Sequence, residues 1–329
     1  MLGNLLLLAL GCFGGSMFLQ EETPKATVNN QPVIGILSLP LHPYENFPVN
    51  GTSYIATSYV TYLEMSGARV VPIRIDHSYS ELDYLFTRLN GILFTGGSAD
   101  FWVNSSSTPV LSKDYAAKGC YLFNKVKQAN DQGNFYPLWG TCLGFELLHV
   151  CANNQFGTIG NFNGEPSYTQ VSQFTPAANT STIFNTLNPF WSQRVMQIMS
   201  TMNVSLLSHE HGVSPKAYQQ YPALGNMYKV LSYMNDKSGS TFVGMIEGVS
   251  YPIFGSQFHP EKNLFEWNQA SIPHFYEAVE MSQFLSNFFV SQTRKNLNQF
   301  PSNELTPALI YNWPPVFIDS YFETISSFS

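Results

Sequence analysis

A cysteine in a short glycine-flanked turn is the strongest candidate for a reactive side chain in this chain. Cys142 lies in Gly140-Thr-Cys-Leu-Gly144, directly after the apolar run 136–139 and before a helix-like run, residues 145–151. A strand, a tight turn and a helix are the order that a nucleophile elbow requires. We expect the glycines to let the backbone turn and to leave room for a substrate, and the helix N-terminus to lower the thiol pKa. A buried structural cysteine is the alternative interpretation of so short a motif.

His259 is the best placed of the seven histidines to act as a base for this thiol. It follows the strand-like run 251–258 and opens a His-Pro-Glu sequence that ends at Glu261. The proline stiffens the backbone, and the carboxylate can reach back to fix the imidazole tautomer. Gly97, Cys142 and His259 each follow a predicted strand, and open α/β sheets bind ligands at the carboxyl ends of their strands. We therefore expect the three to meet in one site, although a surface turn is the alternative for the His-Pro-Glu sequence alone.

Four separated motifs resemble those of the γ-glutamyl hydrolases, which belong to the class I glutamine amidotransferase-like superfamily. They are residues 51–59, 90–98, 139–146 and 257–262, and the similarity extends from about Pro32 to about Asn298. The resemblance implies a flavodoxin-like α/β fold and cysteine-dependent hydrolysis of γ-glutamyl bonds in folate poly-γ-glutamates through a thioester. It also implies a homodimer.

The resemblance gives each residue of the expected mechanism a role. Cys142 is the nucleophile, His259 is the general acid and base, and Glu261 orients His259. The tetrahedral oxyanion needs backbone donors: we expect the N–H of Leu143 and one from the glycine turn Gly96-Gly97, assigned to Gly97, although a plain strand-end turn is the alternative for these glycines.

Two further residues are candidates for substrate binding. Glu146 lies one helical turn after Cys142, where amidotransferases usually carry a glutamine that contacts the bound substrate. Its carboxylate suits an ammonium or amide N–H, or it merely complements the helix dipole. His209 matches a family histidine that lines the site, although His211 stands where an aromatic residue is usual, and an ordinary loop histidine is the alternative. We expect a structural role for the other histidines: His42, His77, His149 and His274.

The composition restricts the class of protein. The net charge of −7 argues against nucleic acid as a partner, and charged residues make up only 11% of the chain. No Cys-x-x-Cys or His-x-x-x-His pattern indicates a metal site, and we expect no cofactor. A poly-γ-glutamate would be repelled by this net charge at neutral pH and less so in an acidic compartment, where carboxylates protonate and histidines become charged.

The N-terminal residues resemble an export signal. An unbroken apolar run, residues 5–10, is followed by small residues and is too short for a mature membrane span. Four N-glycosylation sequons, at Asn50, Asn104, Asn179 and Asn203, are consistent with secretion to a lysosome, a vacuole or the exterior. If Cys142 is free, Cys120 and Cys151 either pair or stay buried as thiols.

The chain is expected to form one catalytic domain. The predicted segments are a signal peptide at about 1–19, an extension at 20–31, the domain at 32–298 and a packed tail at 299–329. Alternating strands and helices predict a mostly parallel central sheet flanked by helices, with a β-rich elaboration in the C-terminal half. The predicted strands are residues 33–37, 70–73, 91–94, 135–139, 242–247 and 251–258, the last two as a hairpin. The predicted helices are residues 54–66, 79–89, 114–132, 145–151 and 283–296, and residues 179–208 are expected to mix turns and short strands.

Two other functions are compatible with the motifs. A glutaminase that feeds ammonia to a synthase would have a partner subunit and a cytosolic location, against which the export signal and Glu146 count. A secreted binding protein on a catalytically silent fold would not need Cys142, His259 and Glu261 together.

Overall fold

The computed structural model describes residues 28–42, 47–102, 110–153, 157–318 and 320–329. The strands, in chain order, are β1 (Val33–Leu37), β2 (Leu39–Pro40), β3 (Ser53–Ala56), β4 (Arg69–Ile73), β5 (Gly91–Phe94), β6 (Leu138–Thr141), β7 (Gly160–Asn161), β8 (Tyr168–Gln170), β9 (Gln173–Phe174), β10 (Ser205–Leu207), β11 (His211–Gly212), β12 (Tyr228–Asn235), β13 (Thr241–Gly248), β14 (Ile253–Ser256), β15 (Val316–Phe317) and β16 (Thr324–Phe328). The helices are α1 (Thr57–Glu64), α2 (Tyr79–Phe86), α3 (Ala116–Asp131), α4 (Leu143–Asn153), α5 (Thr182–Asn185), α6 (Pro189–Thr201), α7 (Pro215–Gln220), α8 (Pro222–Met227), α9 (Lys262–Phe265), α10 (Tyr276–Thr293) and α11 (Leu305–Ala308), with 3₁₀ turns at Pro176–Thr180 and Ile310–Asn312.

An eight-stranded sheet in the order β4-β1-β5-β6-β14-β13-β12-β9 forms the centre of the molecule. The first five strands of this order are parallel, and β13, β12 and β9 continue the sheet antiparallel. Both the mostly parallel sheet and the antiparallel elaboration are therefore confirmed. The carboxyl ends of β5, β6 and β14 lie side by side, which brings three separate segments of the chain to one edge.

Helices cover both faces of this sheet. Neighbouring residues of β6 show the two faces: the Trp139 ring lies 5.9 Å from that of Phe289 in α10. A β-carbon on Gly140 would instead lie 2.8 Å from Leu148 of α4. Because successive side chains of a strand point to opposite faces, α10 and α4 lie on opposite sides of the sheet. The strands between them are buried on both faces, which is why they read as apolar runs.

The predicted helix at 54–66 is wrong in its first turn. Residues Ser53–Ala56 form β3, which pairs with β16 from the other end of the chain, and α1 begins only at Thr57. Long-range strand pairing thus overrides a helical apolar pattern. The predicted hairpin of β13 and β14 is confirmed by their antiparallel register.

One helix is missing from the sequence expectation, and another begins earlier than expected. Helix α6 lies in a region predicted to hold only turns and short strands, and its start has clear signals in Asn188 and Pro189. The Asn188 side chain accepts hydrogen bonds from the N–H groups of Phe190 and Trp191, and proline is favoured at the first helical position. Helix α10 begins at Tyr276 rather than at Gln283.

A disulfide joins the two helices that pack behind the cysteine turn. Cys120 of α3 and Cys151 of α4 are bonded, which leaves Cys142 as the free cysteine of the described residues. Of the two alternatives for Cys120 and Cys151, pairing is correct. Within the described ranges, no helix is both long and apolar enough to cross a membrane.

Candidate active site

Cys142 itself makes the sharp turn between β6 and α4. Its φ is 50°, and among the described residues it is the one non-glycine residue with a positive φ. Its N–H donates to the Ser256 carbonyl at 2.8 Å, and its carbonyl accepts from the Glu146 N–H at 2.9 Å as the first turn of the helix. A left-handed conformation costs a residue with a β-carbon free energy, and such strain is concentrated at functional sites.

The two flanking glycines have a different role from the expected one. Neither has a positive φ, so they do not make the turn. A β-carbon on Gly140 would lie 2.5 Å from the Gly144 carbonyl oxygen, and one on Gly144 would lie 2.2 Å from the Phe94 carbonyl oxygen. The expectation that they leave room for substrate is therefore wrong: they let α4 approach β5 and β6 closely.

The Cys142 thiol is buried, with 4% of the residue exposed. Burial raises its pKa well above the ordinary value, and the neighbouring carboxyl groups of Glu146 and Glu261 add to that shift. The Leu143 N–H at the helix start acts in the opposite direction, as expected, but is outweighed. The prediction of a lowered pKa is thus wrong for the free protein, because desolvation exceeds the effect of the helix terminus. A base must remove the proton when the thiol attacks.

His259 and Glu261 form the expected pair. Oε1 of Glu261 lies 2.7 Å from Nδ1 of His259, and both side chains are buried. The His259 Nε2 atom has no hydrogen-bond partner among the described residues. With Nδ1–H donating to the carboxylate, Nε2 is left as the acceptor that a general base needs.

Gly96 lies between the cysteine and the histidine. A β-carbon at this glycine would lie 2.5 Å from Cε1 of His259, 2.7 Å from Oη of Tyr59 and 3.0 Å from Cβ of Cys142. The thiol-bearing residue and the imidazole therefore converge on one small volume that only a glycine leaves open. The Gly96 N–H donates to Tyr59 Oη at 2.8 Å, and the same oxygen lies 3.3 Å from His259 Nδ1.

Glu146 is buried on the same side of α4 as the thiol. Burial raises its pKa to about 7, while a hydrogen bond from Gln257 acts in the opposite direction. The Gln257 Nε2 atom lies 3.0 Å from Glu146 Oε1 and 3.8 Å from Cys142 Sγ. The carboxyl group thus faces the site and is not merely an exposed group at the helix N-terminus. Below a pH of about 7 it is a neutral acid that can both donate and accept a hydrogen bond.

Two adjoining cavities open at this edge of the sheet. The smaller, of about 190 Å³, is lined by Cys142, Leu143, Glu146 and Gly97. The larger cleft, of about 740 Å³, is lined by His259 and also by Gly97. Together they bring the predicted catalytic, oxyanion-hole and substrate-binding residues to one place.

His209 lies where the two cavities meet. It lines both, and its buried Nε2 atom has no hydrogen-bond partner among the described residues. Its Nδ1 atom lies 2.6 Å from the His211 carbonyl, and burial lowers its pKa to about 4. His209 therefore faces the site, as the substrate-binding alternative requires.

Three of the four histidines that were expected to have a structural role make local contacts of that kind. His149 is buried between the Phe145 carbonyl and the Tyr218 hydroxyl, and burial lowers its pKa to about 4. His77 and His274 bond to nearby backbone groups. His42 differs, because it lines the smaller cavity beside Cys142.

Three of the four sequon asparagines lie in described positions. Asn50, Asn179 and Asn203 are all exposed, so a glycan at any of them would extend into solvent. Asn104 lies outside the described residues, as do the predicted signal peptide and most of the extension that follows it.

Sequence reasoning assigned no role to three residues that line or support the site: Tyr59, Gln257 and Lys262. Tyr59 lies in the motif 51–59, and Gln257 and Lys262 lie in the motif 257–262, which was identified by His259 and Glu261. Their contacts join segments far apart in the chain, so spacing along the sequence carried no signal for them.

Comparison with known proteins agrees with the motifs. The Peptidase C26 family model matches residues 32–261. Gamma-glutamyl hydrolase 1 of Arabidopsis thaliana is 33% identical over 93% of this chain and 84% of its own length. Gamma-glutamyl hydrolase B of Dictyostelium discoideum is 34% identical over 92% and 84%. Gamma-glutamyl hydrolase of Homo sapiens is 33% identical over 95% and 93%.

Similar solved structures include glutamine-using enzymes. The glutaminase domain of Trypanosoma brucei CTPS with bound acivicin is 11% identical, with a TM-score of 0.46 over 82% of this chain and 96% of that one. A glutamine amidotransferase of Methylobacillus flagellatus is also 11% identical, with a TM-score of 0.39 over 82% and 97%. From the family model and the close relatives it follows that this chain belongs to the Peptidase C26 family, together with the γ-glutamyl hydrolases.

Proposed function

We propose that this protein hydrolyses γ-glutamyl bonds through a thioester on Cys142. The observation that carries the proposal is the convergence of a strained, buried Cys142 and a Glu261-paired His259 on either side of Gly96. A thiol and a histidine with a free Nε2 that converge on one small volume are the components that acyl transfer by a cysteine requires.

The reaction proceeds in two halves. His259 Nε2 takes the Cys142 proton as Sγ attacks the γ-carbonyl carbon, and the same proton then passes to the leaving amine as the C–N bond breaks. Water next attacks the thioester, with His259 accepting its proton and returning one to the sulfur, which frees the γ-carboxylate. Glu261 holds the imidazole and stabilises its protonated form throughout.

Leu143 and Gly97 supply the oxyanion hole. The Leu143 N–H lies against the cysteine sulfur at the start of α4. In the glycine turn after β5, the Gly96 N–H is already bonded to Tyr59, whereas Gly97 lines both cavities with a φ of 140°. Two backbone donors aimed at the developing charge stabilise the tetrahedral intermediate.

Glu146 and His209 hold the glutamyl residue whose carbonyl is attacked. Both line the small cavity beside the sulfur, and both side chains are buried. Glu146 accepts from the amide N–H of that residue. His209 is neutral, with Nδ1–H donating to the His211 carbonyl, so its free Nε2 is an acceptor for a second N–H of the substrate. The larger cleft next to His259 accepts the leaving part of a poly-γ-glutamate chain, and the natural substrates are folates carrying such tails.

The working place is the secretory pathway, ending in a lysosome, a vacuole or the exterior, and the active form is a homodimer. The exposed sequon asparagines and the Cys120–Cys151 disulfide support an oxidising compartment. Endoglycosidase sensitivity of the protein from its native cells tests the first point, and sedimentation of the purified protein tests the second.

The deciding experiment offers the purified protein pteroyl-tri-γ-glutamate and free glutamine, each at pH 5 and pH 7. We expect glutamate or γ-glutamyl peptides from the first and little ammonia from the second. Cys142→Ala should abolish release and leave the thermal unfolding transition in place. Ammonia release from glutamine alone would identify a glutaminase, and release by the alanine variant would remove Cys142 from the mechanism.

A further inference from the structure

Lys262 is a buried cation at the wall of the larger cleft. The residue is 2% exposed, lines the cleft and directly follows Glu261. Of the described residues that line this cleft, it is the one lysine or arginine. Burying an ammonium group is costly unless an anion or several hydrogen bonds compensate.

The compensation found in the protein is incomplete. Lys262 Nζ donates to the Tyr321 carbonyl at 2.9 Å and lies 4.8 Å from the centre of the Phe322 ring. The ion pairs formed among the described residues do not include it. An ammonium group has three donors, so this one retains capacity for an anion.

The segment before β16 holds the lysine in this place. The Glu323 N–H donates to Glu266 Oε2 at 2.6 Å, and the Trp267 N–H donates to Glu323 Oε1 at 3.0 Å. Phe322 is buried against Tyr54. The carbonyl and ring that contact Lys262 are therefore fixed on both sides, and the ammonium group is preorganised at the cleft wall.

The chemistry of the proposed reaction places an anion near this wall. The leaving amine takes its proton from His259, which lines the same cleft. In a γ-linked chain, the carbon next to that amine carries an α-carboxylate. Glutamine, by contrast, releases ammonia, which carries no such group.

We infer that Lys262 binds the α-carboxylate of the leaving glutamyl residue and thereby selects γ-glutamyl chains over simple amides. This inference rests on the proposed function and adds to it a specificity-determining residue on the leaving-group side. Among the described residues, no acidic side chain near the lysine forms an ion pair with it. Glu165 accepts from Ser208 Oγ at 2.6 Å, and Glu210 is exposed. Glu266 interacts electrostatically with Lys262, but burial raises the pKa of this carboxyl group to about 7.

Two matched substrates test the inference. One is pteroyl-di-γ-glutamate, and the other is the same compound with the α-carboxylate of its terminal residue converted to a carboxamide. We expect the wild-type protein to favour the carboxylate by about 30-fold in kcat/KM, as the loss of a charged hydrogen bond implies. In Lys262→Met that ratio should fall to near 1, and in Lys262→Arg it should stay well above 1. Lys216→Met, at an exposed lysine of α7, should keep the wild-type ratio.

The outcomes separate the possible failures. Equal cleavage of both substrates by the wild-type protein would overturn the role of Lys262 and leave the hydrolase assignment intact. A Lys262→Met variant that slows both substrates equally would assign the lysine to support of the C-terminal segment only. Because each ratio is taken within one protein, partial unfolding of a variant cancels from it. Cleavage of neither substrate by the wild-type protein would refute the proposed function, and this inference with it.

Discussion

Oε1 of Glu261 lies 2.7 Å from Nδ1 of His259, two residues before it in the chain. Pro260 and the start of α9 turn the backbone so that the Glu261 carboxylate reaches back to the His259 imidazole. A short segment thus delivers both the base and the group that orients it.

This relationship predicts unequal losses from two substitutions. His259→Ala should lower kcat by about 10⁴-fold, because it removes the proton carrier. Glu261→Ala should cost about 10²-fold less than that, since the imidazole remains but its tautomer and orientation are no longer fixed. Steady-state kinetics on pteroyl-tri-γ-glutamate measure both, with thermal unfolding as the control for folding. Equal losses would assign Glu261 a direct chemical role.

Gly96→Ala should inactivate the protein through space alone. Its β-carbon would lie 2.5 Å from His259 Cε1 and 3.0 Å from Cys142 Cβ, so these two residues must separate. A displacement of about 1 Å can cost about 10²-fold in rate, and we expect kcat to fall at least that far. Gly225→Ala is the matched control, because nothing lies within 4 Å of its β-carbon position and α8 favours alanine. Full activity of the Gly96 variant would contradict the convergence of the two side chains on this position.

Glu146→Gln should change how stability depends on pH. The folded-state pKa of Glu146 is raised from 4.5 to about 7, so the folded protein binds a proton there that the unfolded chain has released. Between these two values the free energy of unfolding therefore falls as pH rises, by up to about 3 kcal/mol. Urea unfolding at pH 5 and pH 8 should show this decline in the wild-type protein relative to the glutamine variant.

The difference between the two proteins is the quantity to compare. Burial lowers the pKa of His149 and His209 to about 4, and these groups act in the opposite direction, adding stability as pH rises from about 4 to 6.5. They are present in both proteins and cancel. Parallel stability curves would show that Glu146 is ionised in the folded state.

Removal of the disulfide should lower stability without removing activity. Cys120 and Cys151 are 31 residues apart, and closure of such a loop stabilises the folded state by about 3 to 4 kcal/mol. The double substitution Cys120→Ala, Cys151→Ala should lower the free energy of unfolding by that order. Turnover well below the unfolding temperature should persist, because Cys142 lies at the other end of α4. Loss of turnover in a folded variant would show that the disulfide positions the nucleophile.

Sequence patterns determined much of the architecture. The buried strands are apolar runs bounded by turn residues, and Gly97, Cys142 and His259 each follow one of them. Both the parallel sheet and the place of the site therefore followed from local signals. The misassigned first turn of α1 shows the limit: Ser53–Ala56 is extended because it pairs with β16, more than 260 residues later. The local sequence around residues 53–56 does not indicate this long-range pairing.

The sequence by itself also identified the reactive residues Cys142, His259 and Glu261, because their side-chain types and the turns next to them indicate their chemical roles. Only the tertiary structure decided their energetics. Burial raises the thiol pKa of Cys142 against the helix terminus, and it keeps Glu146 partly protonated near neutral pH. The tertiary structure also decided that the Tyr321 carbonyl holds Lys262 at the cleft wall. Desolvation and contact depend on the atoms that surround a group, and those atoms come from segments that are distant in the chain.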